Sequence, residues 1–135
     1  MAVVVAHQEP FGIFTYVDYE YEQELDLLAR LIASEARGEP YEGMVAVGNV
    51  VMNRAKDSSI DEVIFARHQF SGIVERSFTR TPPGICVRAA MAVLAGESTI
   101  PSTVTHYCNL KKCSPRWAKK LKFVKRIGNH WFYEH

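Results

Sequence analysis

Cysteine is scarce in this 135-residue chain. Its three thiols, Cys86, Cys108 and Cys113, cannot all pair, so a disulfide framework is excluded as the main staple, though a single Cys108–Cys113 bridge stays open. Synthesis in a reducing compartment is the simpler reading. No apolar run is long enough to span a bilayer. The apolar start, Met1 to Ala6, is short, has no basic residue ahead of it and runs into His7-Gln8-Glu9-Pro10, unlike a secretory signal. Gly-x-Ser-x-Gly, a phosphate-cradling glycine loop, a helical His-Glu-x-x-His and paired Cys-x-x-Cys motifs are all missing, which argues against the serine-hydrolase, nucleotide-binding and common zinc signatures. Internal repeats and low-complexity linkers are missing too. One domain over 1–135 is therefore expected, with 1–21 as an arm or edge strand and 22–135 as the core.

Negative charge is absent where it would matter most. Net charge is only +1, yet residues 111–126 hold eight of the sixteen basic residues and no acid, while twelve of the fifteen acids fall by Glu62. Such a stretch suits an anionic polymer, be it nucleic acid, a lipopolysaccharide or a cell wall. It equally suits a solvated helix face over Trp117, Leu121 and Val124.

What is present reads as helices with a few strands. Phe14 to Tyr19 is rich in strand formers, and the spacing of Leu25, Leu28, Ala29, Ile32 and Ala36 predicts a helix over about 22–37, stopped by Gly38. A second, buried helix is expected over 43–55, a short third one from Ser58 or Ser59 to Ala66, and a loop over 67–84. An alanine-rich helix follows over 86–95, then a strand at 103–108, a basic helix from Ser114-Pro115 to about Arg126, and an aromatic strand, His130 to Tyr133, after a Gly128-Asn129 turn. The fold class is α+β, mostly helical with a small antiparallel sheet.

Glu35 is the chemically expensive residue. It lies beside the apolar stripe in the last turn of the first helix, where burial and the negative end of the helix dipole both favour a protonated carboxyl that can serve as a general acid. Its plainer role is an ion pair with Arg30 or Arg37. Glu39 and Glu42, beyond Gly38, are expected to be exposed, which makes them poorer proton donors.

Three further groups carry chemistry. His68-Gln69-Phe70-Ser71-Gly72 sets an imidazole, an amide, a ring and a hydroxyl together as a sugar site would, or else anchors the core through Phe70. In Thr105-His106-Tyr107-Cys108-Asn109, strand alternation sends His106 and Cys108 to one face and Tyr107 and Asn109 to the other, so that one pair lines a cleft. Trp117, Asn129 and His130 join this group. His68, His106, Cys108, Cys113 and His130 together also raise a zinc site, and with it a metal-dependent amidase or wall peptidase, although no metal-ligand motif supports it and no metal or cofactor is expected. A non-catalytic binding module for nucleic acid or anionic glycan rests on the basic stretch alone.

The run Leu28 to Val47, containing Ser34-Glu35-Ala36-Arg37-Gly38-Glu39-Pro40, and Asn53-Arg54 resembles the cell wall hydrolase family of spore cortex-lytic enzymes, the SleB and CwlJ type. Gln69-Phe70-Ser71, Ala95-Gly96, His106-Tyr107-Cys108-Asn109, Pro115-x-Trp117 and Ile127-Gly128-Asn129-His130-x-Phe132-Tyr133 match in order, so the resemblance covers about residues 25–133. It implies a single lysozyme-like domain that cuts the bond between N-acetylmuramic acid and N-acetylglucosamine in peptidoglycan, as a lytic transglycosylase or muramidase. Glu35 would be the catalytic acid, with Gln69, Phe70, Ser71, His106, Tyr107, Asn109, Trp117, Asn129 and His130 binding the glycan. Small leaderless hydrolases of this sort look like bacteriophage endolysins. The expectation is then a monomer made in the bacterial host cytoplasm and released to the wall, with no nucleic-acid partner and with residues 111–126 drawn to the anionic envelope.

Overall fold

A computed structural model describes residues 4–8, 14–66 and 80–135, with side chains from residue 18 onward. Strands β1 (Val4–Gln8) and β2 (Phe14–Asp18) pair antiparallel as a separate two-stranded sheet. Helix α1 (Tyr19–Ala36) starts three residues earlier than its apolar spacing suggests, because the Asp18 carboxylate accepts the Tyr21 amide at 3.1 Å and caps the first turn. Leu28, Ala29, Ile32 and Ala36 are buried along it, on the face that the periodicity selected, and Leu31 beside them is buried too.

Helix α2 (Tyr41–Arg54) starts after Pro40, whose carbonyl accepts the Gly43 and Met44 amides. Every residue from Gly43 to Val51 is buried, so α2 is the central helix. Its neighbours are α1 and α4 (Gly84–Leu94), which also pack on each other. Gly48 is what lets α4 come close: a Cβ there would lie 2.7 Å from Val93 Cγ2. Helix α3 (Ile60–Ile64) is a single short turn capped by Ser59.

Three strands complete the described fold: β3 (Val104–Cys108), β4 (Lys122–Ile127) and β5 (His130–Glu134). All pair antiparallel in the order β3-β5-β4. One face of this sheet, with the fully buried Phe132, belongs to the helical core.

The basic helix expected over 114–126 is not formed. A short 3₁₀ turn, Arg116–Lys119, is followed by β4. Trp117, Leu121 and Val124 have helical spacing, but Phe123, Val124 and Ile127 are strand formers, and a two-residue Gly128-Asn129 turn sets Ile127 opposite His130. Pairing with β5 satisfies more backbone than a short isolated helix would.

Candidate active site

Three elements converge on Glu35. Helix α1 presents it in its last turn, half-buried, and β3 presents Tyr107 against it: the Tyr107 hydroxyl donates to Glu35 Oε2 at 3.0 Å. Burial first, then the Glu35 carboxylate that accepts its proton, pushes the Tyr107 phenol well above its ordinary range. Tyr107 is thus a fixed donor at any working pH. From the end of α2 comes Arg54, whose charge acts on both Glu35 and Tyr107 and whose Nε donates to the Thr105 carbonyl at 2.6 Å.

The polar stripe of α2 explains why β3 arrives in register. Asn49 bonds Glu97 O and the Thr99 amide at 2.8 and 3.0 Å, and Asn53 bonds Val104 O and Pro101 O at 2.8 and 3.2 Å. With Arg54 on Thr105, these side chains lace the segment 97–105 to the helix. Tyr107 is two residues further on.

The other sequence-selected residues divide. Strand alternation holds, with Tyr107 towards Glu35 and His106 on the opposite face against Trp117, ring centroids 4.9 Å apart. The His106 imidazole is held down to about 4 by burial, then by the Arg54 and His135 charges, so it is neutral at pH 7. Asn109 holds its own turn: its Oδ1 accepts the Lys111 amide at 3.0 Å and its carbonyl the Lys112 and Cys113 amides. Gln69, Phe70, Ser71 and His68 lie outside the described residues.

Asn129 and His130 serve a clamp. The Asn129 amide and Nδ2 donate to the two oxygens of Glu39 at 2.7 and 2.9 Å, tying the β4–β5 turn to the α1–α2 corner. Contrary to the expected exposure, the Glu39 side chain is only 9% exposed. Desolvation pushes its carboxyl up, but both Asn129 bonds, with His130 and Lys112 nearby, leave it below its usual value. His130 is buried beside it, Nδ1 3.9 Å from Glu39 Oε1, and its ring meets Tyr107 edge-on at 5.0 Å. Glu42 pairs with Lys125 at 3.1 Å, and Arg30 with Asp26 at 2.9 Å.

Of the zinc reading, His68 lies outside the described residues, and Cys108 and Cys113 are neighbouring free thiols, not a disulfide. His106 and His130 sit on opposite faces of the sheet, and Cys113 Sγ contacts Asn109 O at 3.3 Å. Among the described residues, no three or more His, Cys, Asp or Glu side chains gather as metal ligands. Arg54 is the site residue that sequence reasoning left without a role. A basic residue at a helix C-terminus is ordinary, and only the Asn49, Asn53, Arg54 spacing hints at a polar seam.

Residues 38–133 match the cell wall hydrolase family, a segment that begins three residues after Glu35. A spore cortex-lytic enzyme of Halalkalibacterium halodurans is 33% identical over 116 residues, which take in 82% of this chain and 34% of that protein. The chain thus spans about a third of that relative's length. The Bacillus subtilis cell wall hydrolase CwlJ is 28% identical over 121 residues, covering 82% of this chain and 84% of CwlJ. Among solved structures, the catalytic domain of the germination-specific lytic transglycosylase SleB from Bacillus anthracis superposes with a TM-score of 0.79 at 26% identity, over 87% of this chain and 100% of that one. On the match over residues 38–133, and with the SleB catalytic-domain fold, the chain belongs to the cell wall hydrolase family.

Proposed function

We propose that this domain is a lytic transglycosylase that cuts peptidoglycan between N-acetylmuramic acid and N-acetylglucosamine, with Glu35 as its single acid and base. The observation that carries this reading is the Tyr107 hydroxyl bonded to Glu35 Oε2. It ties the carboxyl group at the end of α1 to β3 and holds a donor against the oxygen on which charge develops.

The reaction needs one group to act twice. Protonated Glu35 gives its proton to the glycosidic oxygen as the bond to C1 of the muramoyl residue breaks. The carboxylate left behind is stabilised by the Tyr107 hydrogen bond and the Arg54 charge. It then takes the proton of the muramoyl 6-hydroxyl as that oxygen closes on C1, giving a 1,6-anhydro end and restoring the acid. A hydrolytic muramidase with retention or inversion would use a second carboxylate. The two nearest in sequence have other duties, Glu39 with both oxygens on Asn129 and Glu42 on Lys125.

Digestion of purified peptidoglycan, with products read by mass spectrometry, tests this. Anhydromuramyl ends are expected from the wild type and not from Glu35→Gln; undiminished activity in that variant overturns the assignment. Reducing muramic acid ends in place of anhydro ends would convert the reading to a muramidase. We further propose that the cations of 111–126 hold the domain on the anionic envelope. The endolysin setting is tested by adding the protein to permeabilised cells: clearing of the suspension is expected.

A further inference from the structure

The proposed reaction uses the sheet face that meets α1 and leaves the opposite face unassigned. There the Arg116–Lys119 turn lies over β5, with Trp117 edge-on to Tyr133 at 5.3 Å and Phe123 flanking the same ring at 5.7 Å. Beside it is a cavity of about 610 Å³. Leu110, Pro115, Ala118 and Tyr133 give it an apolar lining, and Arg116, Lys119 and Lys120 surround it with positive charge.

The cations of this region fall into two sets. Lys122 reaches Glu134 at 3.7 Å, Lys125 reaches Glu42 at 3.1 Å, and Arg126 lies over the Trp131 ring at 4.2 Å. Lys111, Lys112, Arg116, Lys119 and Lys120 are exposed and have no ion-pair partner among the described residues. The acids lie elsewhere: Glu20, Glu24, Asp26 and Asp61 border a different cavity between α1 and α3. Three cations without ion-pair partners around an apolar hollow, Arg116, Lys119 and Lys120, ask for a ligand that alternates charge with carbon.

We propose that this hollow is an exosite for a polyol phosphate polymer of the wall, with phosphodiesters on Arg116, Lys119 and Lys120 and the polyol carbons over Leu110 and Pro115. It rests on the reading that the domain acts on the wall. Nucleic acid fits less well. A duplex is too wide to enter the hollow, and single strands bind by stacking bases on open aromatic faces, whereas Tyr133 is 5% exposed and covered by Trp117 and Phe123.

Co-sedimentation of the non-cleaving Glu35→Gln protein is measured with walls whose phosphodiester-linked polymers are intact and with walls stripped by hydrofluoric acid. Binding to stripped walls is expected to fall on the order of 10-fold, and K119E/K120E added to Glu35→Gln is expected to bind intact walls no better than stripped ones. Soluble poly(glycerol phosphate) should compete, and polyglutamate or DNA at equal charge should not. Equal binding to both walls, undiminished binding by the lysine variant, or equal competition by DNA or polyglutamate overturns the proposal. Cleavage of soluble glycan strands is read in parallel. K119E/K120E in the otherwise wild-type protein should cut them at the wild-type rate, and a wild type that binds as expected yet cuts no strand overturns the glycan-cleavage reading alone.

Discussion

At the scale of residues, Tyr107 and His106 are neighbours on β3 with opposite duties. Removing the Tyr107 hydroxyl takes away a donor bonded to Glu35 Oε2, and a hydrogen bond to a charged group is worth about 1.5–3 kcal/mol. Tyr107→Phe is therefore expected to slow formation of anhydro ends by roughly ten- to a hundred-fold, with an unchanged circular dichroism spectrum. His106 is read through stability instead. Its imidazole is held to about 4 in the folded chain, against an unfolded value of about 6.5, so between these pH values the unfolded state binds the extra proton. Its contribution is fully present above about pH 6.5 and is lost as pH falls towards 4. Glu39, with its carboxyl below the usual value, adds in the same sense, since its stabilisation disappears when acid protonates it. The urea midpoint should fall between pH 6.5 and 4, and His106→Gln should flatten part of that slope.

At the scale of elements, the clamp between the α1–α2 corner and the β4–β5 turn can be tested through Gly128. Its φ of +58° is costly for any residue with a side chain, and a Cβ would lie 2.6 Å from Glu39 Oε1 and 2.8 Å from Pro40 Cδ. Gly128→Ala is expected to cost about 1–3 kcal/mol, measured as a lower urea midpoint. The glycine was legible as a turn; its partner was not, because Glu39 is ninety residues from the neighbouring Asn129 and reads locally as an exposed acid. The same distinction runs through the fold. Helices α1, α2 and α4 follow from apolar spacing and glycine stops, which are local signals. Strand β4 does not, because Trp117, Leu121 and Val124 mimic a helical stripe and only the pairing with β5 decides against it. In the site, Glu35 was legible as an acid at a helix end, and Tyr107 as one of two alternating faces. Which face meets Glu35 depends on the bonds from Asn49, Asn53 and Arg54, which no window of sequence contains.

For the whole molecule, charge separation predicts that the proposed attachment to the wall depends on ionic strength. Exposed cations without partners are screened over about 8–10 Å at physiological salt. Wall binding should weaken steadily between 50 and 300 mM salt, whereas cleavage of short soluble strands should change little, a contrast that initial rates on the two substrates would check. Strand order adds a consequence of another kind. In β3-β5-β4 the middle strand follows both of its partners along the chain, so β3 has no neighbour in its sheet until residues 130–134 are in place. During synthesis the acid on α1 is made early, but the strand that carries Tyr107, laced to α2 only through residue 105, lacks its sheet partner until residues 130–134 have emerged. A nascent chain can fold its helices and still be inert.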